Sequence, residues 1–174
     1  MLKRSLLFGL YIILIALVTG CSGTRAPHQT AGAVSATSTG GEISVLSLRG
    51  DTGSMTQDQI VELKRVGTWM DRDIIKQLKR AGYTAKLLKS RSDFNGSGHL
   101  LIIDVDKFRP GNRAARAFVG FGAGGSSLDL DYQLLDSQNK MVDQWKDGVG
   151  SSKGGTYCAQ TLNRNTIKQL QSKL

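Results

Sequence analysis

Residues 127–135 read "SLDLDYQLL", and the alternation is strict: Leu128, Leu130 and Tyr132 fall on one side, Asp129, Asp131 and Gln133 on the other. Successive side chains of a strand face opposite sides of its sheet. The segment therefore fits a sheet with one apolar face and one solvated face. The "DSQNK" that follows is a tight turn, and "MVDQWKD" (residues 141–147) is its hairpin partner.

The rest of the domain arranges itself around that ribbon. Residues 42–48, "EISVLSL", alternate well enough for a strand, and "RGDTGS" after them is turn material. Thr56 with Gln59 three residues on forms a capping-box pattern, after which Ile60, Leu63, Val66, Met70, Ile74 and Leu78 recur at helical spacing until Gly82. "TAKLLKS" (84–90) is a second strand, parallel to the first because a helical crossover separates them. "HLLIIDVDKF" (99–108) has the aliphatic density of a central strand, with Asp104 and Asp106 on one face. A closing helix starts near Thr156 and carries a stripe of Ala159, Leu162, Thr166, Leu170 and Leu174. The expected fold is one α/β domain over residues 42–174, order β-α-β-β-β-β-α, with helices covering a mixed sheet.

The N-terminus has a different character. Lys3 and Arg4 precede an apolar run over residues 6–18 that ends in "LVTGC". A positive start, a short apolar core and small residues before a cleavage point make an export signal, and the run is shorter than the roughly 20 residues that a spanning helix needs. "LVTGC" resembles the lipobox of bacterial lipoproteins, with Gly20 before the cut and Cys21 as the lipid-bearing first residue. Residues 1–20 are then a signal peptide. Residues 22–41, "SGTRAPHQTAGAVSATSTGG", are small, polar and aperiodic, and with Cys21 form a lipidated tether (21–41) spanning roughly 25 Å. Ser22 stands where an inner-membrane retention signal carries Asp, so the expected address is the outer membrane, facing the periplasm. Losing Lys3 and Arg4 leaves 21 basic residues of the original 23 against 14 acidic ones, a formal +7. Lipidation of Cys21 leaves Cys158 as the one free cysteine, so no intramolecular disulfide staples the fold even in an oxidising compartment.

Residues 109–126, "RPGNRAARAFVGFGAGGS", connect the third and fourth strands. A phosphate-binding glycine loop is followed by a helix, whose N-terminus supplies free amides. Here a strand follows, and no Gly-Lys-Ser/Thr ending is present. "GVGSSKGGT" (148–156) does precede a helix but lacks the Walker spacing. The stretch "GNRAARAFVGFGAGGSSLDLDYQLLDSQNKMVDQW" resembles the signature of the bacterial lipoprotein family known as domain of unknown function 4410. Gly120, Phe121, Gly122, Ala123, Gly124 and Asp136 match that pattern. Where the family's turn usually holds glycine, Asn139 takes the place, and asparagine tolerates positive φ. The resemblance implies a fold like the periplasmic α/β domains of outer-membrane accessory lipoproteins, some of which assemble as rings or contact cell-wall synthases, and it implies no activity.

Two chemical readings of the remaining residues compete. Asp104, Asp106, Asp129 and Asp131 would share one face, where four carboxylates can bind a hard cation or do acid/base work. The plainer reading is a solvated face whose acids meet Lys107, Lys140 or Lys146. Cys158 near a helix N-terminus is either a thiol of lowered pKa or a small buried hydrophobe, and the histidines, His28 and His99, offer it no evident base. Zinc spacing and a Ser-His-Asp order are missing. Basic residues gather at Lys76, Lys79, Arg80, Lys86, Lys89 and Arg91, either as a solvated edge or as an attractor of anionic lipid or polymer. Arg109, Arg113 and Arg116 lie beside Phe118 and Phe121 in a composition suited to an interface. Gly120, Gly122, Gly124 and Gly125 permit its sharp turns. The expectation is a non-catalytic binding or assembly module without cofactor or metal, which meets the membrane through Cys21 and an envelope protein or its own copies through the loop. Nucleic acid is excluded by compartment. The alternative is a hydrolase or metal-dependent enzyme working on the aspartate face.

Overall fold

The structure, a computed structural model, describes residues 40–112 and 124–174, which belong to one compact unit, Thr37–Leu174. Along the chain run β1 (Glu42–Ser47), α1 (Gln57–Arg80), β2 (Thr84–Leu88), a 3-10 turn (Arg91–Asp93), β3 (His99–Arg109), β4 (Ser126–Leu135), β5 (Met141–Ser151) and α2 (Gly155–Lys173). This is the expected order. The strands form one mixed sheet, β2-β1-β3-β4-β5, in which β1 lies parallel to β2 and β3 while β4 pairs antiparallel with both neighbours.

Local signals in the sequence account for the element ends. The Thr56 side chain accepts from the Gln59 amide (3.3 Å) and the Gln59 side chain accepts from the Thr56 amide (2.8 Å), satisfying two of the donors that a helix start leaves free. At the other end Tyr83 N–H donates to Leu78 and Gly82 N–H to Lys79, with Gly82 at φ 92. That is the paired closure glycine makes possible. Asn139 at φ 63 is the one non-glycine residue of positive φ among those described, and it closes the β4–β5 turn as expected.

Both helices pack on the same face of the sheet. Ile43 and Val45 of β1, Leu101, Ile103 and Val105 of β3, and Leu128, Leu130, Tyr132 and Leu134 of β4 are buried there with Leu63, Val66, Met70, Ile74 and Leu78 of α1 and Cys158, Ala159, Leu162 and Leu170 of α2. The opposite face carries a smaller cluster of Leu46, Leu88, Leu100, Ile102 and Leu135, over which Phe94 packs. Because β2 and β3 run in the same direction on either side of β1, residues 89–98 must travel back along the sheet, and the helix-free face is where Phe94 puts them. Leu46 is buried beside Val45 for this reason: the two serve different cores.

Several details depart from the sequence reading. β5 does not end at Asp147 but continues through Gly148, Val149, Gly150 and Ser151. Glycines have no side chain to reveal a period, yet their backbones still pair with β4. β2 stops at Leu88, two residues early, where the chain turns back. Leu174 is not on the buried stripe of α2 but 47% exposed, since the helix outruns the sheet beneath it. Asp106 sits at a register shift between Val105 and Lys107, a bulge that returns Phe108 to the helix-covered face.

Polar contacts distant in sequence clamp the layers. The Arg49 guanidinium lies across α1 at Gly67, donating to Ser47 (2.6 Å) and pairing with Asp71. Buried Asn163 donates to Met70 O and to Asp73, each at 3.0 Å, fixing α2 to α1. Gly50 turns at φ 64 so close to β3 that a Cβ would sit inside the Val105 carbonyl. Strain and overlap act together there, so Gly50→Ala is expected to lose about 2 kcal/mol or more of unfolding free energy. Gly41→Ala, with open space around it, should stay within about 0.5 kcal/mol. Urea unfolding of the two variants checks the difference.

Candidate functional site

The four aspartates do come together on the helix-free face. Asp104 of β3 stands directly opposite Asp131 of β4, and Lys107 opposite Asp129. Like charges facing each other across strands destabilise a sheet unless something intervenes. Here each acid has its own answer. Asp104 accepts from the Gly50 amide (3.1 Å). Asp131 pairs with Lys146 at 2.8 Å, a contact that holds the lysine amine above its ordinary range. Asp129 folds over the bare Cα of Gly148 in β5, where a Cβ would collide with its carboxylate. Asp106, Asp129, Asp131 and Lys146 line a shallow depression. Among the described residues, no group of three or more His, Cys, Asp or Glu side chains is arranged to hold a metal ion. Chemically the face is a set of acids with Lys107 and Lys146 among them.

At the far end of β3 and β4 lies the root of the glycine run. Asn112 N–H donates to Gly124 O (2.9 Å) and the Ser126 hydroxyl to Pro110 O (2.6 Å). Gly111 (φ 76) and Gly124 (φ 69) face each other so closely that a Cβ on Gly111 would strike the Gly124 carbonyl. Gly124 lies in the left-handed region that favours glycine. Gly125 does not need glycine's freedom: a Cβ there would make ordinary contact with Ser151. Arg109 is exposed on the last residue of β3. Arg113, Arg116, Phe118, Gly120, Phe121 and Gly122 lie outside the described residues, as do Cys21 and His28.

Cys158 is fully buried one turn into α2, its thiol 3.6 Å from Ser126 O, and burial pushes its pKa up. His99 stands at the start of β3. The second glycine stretch divides between β5 and the start of α2, where Gly154 is the N-cap at φ 99 without a side-chain cap.

One feature of the ribbon was countable from the hairpin register but not singled out. Tyr132 and Trp145 pair across β4 and β5 and stack with ring centroids 4.8 Å apart and planes within 5°. Burial, with Asp147 nearby, raises the Tyr132 phenol well above its ordinary pKa. The stack covers the core where β5 leaves it partly open.

The architecture is an α/β two-layer domain, and residues 34–154 match the family described as Domain of unknown function (DUF4410); the chain belongs to that family. No curated protein matches the chain. Its fold is similar to that of a PelC dodecamer from Paraburkholderia phytofirmans, at 12% identity over 76% of this chain and 88% of that one, with a TM-score of 0.53. A point variant of the same PelC gives 14% identity, 76% and 87% coverage and a TM-score of 0.51. A neuraminyllactose-binding hemagglutinin homolog from Helicobacter pylori overlaps at 11% identity, 75% and 83% coverage and a TM-score of 0.48.

The burial of Cys158 yields a direct expectation. A thiol reagent should label it slowly in the native protein and rapidly in denaturant, and Cys158→Ala should cost about 1 kcal/mol or less. Rapid native labelling would restore the reactive-thiol reading.

Proposed function

We propose that this chain is a lipid-anchored, non-catalytic binding or assembly module of the bacterial cell envelope, held through Cys21 at the periplasmic face of the outer membrane. The observation that carries the module reading is the pinned root of the glycine run. Asn112, Gly124, Pro110 and Ser126 fix both ends of the β3–β4 connection, whose sequence contains Arg113, Arg116, Phe118 and Phe121. Arginine and phenylalanine clustered this way are the residue types that carry binding energy at interfaces. The partner we assign is an envelope protein or further copies of the chain. The dodecameric state of the PelC relatives favours copies. Anchoring rests on "LVTGC", and no described helix is long and apolar enough to cross a membrane. On the aspartate face, the acids are taken up by Lys146, by Gly50 and by packing over Gly148, which supports a non-catalytic role.

Two experiments separate the parts of this reading. Cys21→Ala should leave the membrane fraction or remain unprocessed, because several acyl chains at about 0.8 kcal/mol per buried methylene hold far more firmly than charge. Unchanged fractionation with normal signal cleavage would refute the anchor. Phe118→Ala and Arg116→Ala should keep stability within about 1 kcal/mol while lowering native mass or partner capture. Phe121→Ala, assigned a packing role, should lose about 3 kcal/mol. Early melting of Phe118→Ala at unchanged native mass would make the glycine run only a connection.

A further inference from the structure

The outer side of the helical layer carries exposed charge of one sign. Past the first turn of α1 every acid is engaged at the helix flanks or inward: Glu62 holds Arg65, Asp71 holds Arg49, and Asp73 accepts from Asn163 and Gln77. α2 contains no acidic residue at all. What the helices show to solvent is therefore cationic, with Arg72, Lys76, Lys79 and Arg80 from α1 and Arg164 and Lys168 from α2 all exposed. None of these six has an ion-pair partner among the described residues. Arg72, Lys76 and Lys79 follow one another at helical spacing along the outward line of α1, and Arg80 and Arg164 border the groove between the helices. Behind them, across the sheet, stand Asp104, Asp106, Asp129 and Asp131.

We propose that the helical layer is a docking surface for a bilayer containing anionic phospholipid, and that the strand face, where Asp104, Asp106, Asp129 and Asp131 stand among Lys107 and Lys146, is turned away from it. The inference rests on the lipid-anchor reading for its reason to be near a membrane, but its recognition is separate. A 24-residue helix is about 36 Å long at 1.5 Å per residue. Cations spread along such a length suit a plane of mobile headgroups, whose phosphates can rearrange to meet them. The acids lie beyond the helical layer, which is about 10 Å thick. Coulomb energy falls with distance, so the nearer cations outweigh these acids in their interaction with headgroup phosphates. The same asymmetry fixes which way the tethered domain faces.

The test uses the full lipidated chain on vesicles of phosphatidylcholine alone and on vesicles in which phosphatidylglycerol is added, with lysine acylation read by mass spectrometry. Lys76, Lys79 and Lys168 should label several-fold more slowly on the anionic vesicles, and high salt should abolish the protection. Lys146, on the strand face, should label alike on both. The triple variant Arg72→Gln, Arg80→Gln, Arg164→Gln leaves the reporter lysines in place and should remove their protection. Equal labelling on the two vesicles, protection of Lys146 in place of the helix lysines, or protection that survives the triple variant would each overturn the proposal. Retention on neutral vesicles reads the anchor by itself: a chain that leaves those vesicles yet shows helix protection on anionic ones has lost the anchor reading and kept this one.

Discussion

Placing both helices on one side of a five-stranded sheet is the constraint from which the rest of this molecule follows. Cys158 is a free, buried thiol, and that single interface supplies most of the burial that holds the described domain. β4 shows the result in its purest form, with Leu128, Leu130, Tyr132 and Leu134 buried under the helices and Asp129 and Asp131 facing the other way. A sheet covered on both faces would have needed continuous apolar strands. β1 and β3 come nearest to that, because each buries residues both under the helices and in the cluster under Phe94. The short strap after β2 thus does for a small part of the sheet what the helices do for the rest.

The same arrangement explains which parts could be read in advance. The β4–β5 ribbon was legible because one face is wet and the other dry along its length, so the alternation survives in the letters. The capping box at Thr56, the stop at Gly82 and the turn at Asn139 were legible because each is settled by residues within a few positions of itself. Three things were not. Which side the helices take depends on the path of residues 89–98, and nothing local to that stretch states it. The extension of β5 through Gly148 and Gly150 has no side-chain period to read. The clamps from Arg49 to Asp71 and from Asn163 to Asp73 join residues 22 and 90 positions apart, and a single sequence gives no reason to pair them. Of the residues named for the candidate interface, Gly124 has a positive φ of 69, whereas Arg113, Arg116, Phe118, Gly120, Phe121 and Gly122 lie outside the described residues.

The aspartate face shows how a cluster of potential ligands can be spent on structure. Four carboxylates on neighbouring strands invite a cation, and their repulsion would be a reason to bind one. Each is instead relieved by a different neighbour: a backbone amide at Gly50, an ammonium at Lys146, open space over Gly148, a bulge at Asp106. Distributed relief of this kind leaves no set of oxygens converging on one point. A side chain at 148 would displace the Asp129 carboxylate.

Charge segregation then follows from economy of contacts as much as from any partner. The acids of α1 are drawn to its flanks and inner side because structural donors wait there: Arg49 at the end of β1, Asn163 from α2. Once they are committed, the outward line of the helix can be basic without internal neutralisation, and a net positive chain becomes a chain with a positive side. A domain tethered near a membrane gains orientation from such a side at no cost to its core.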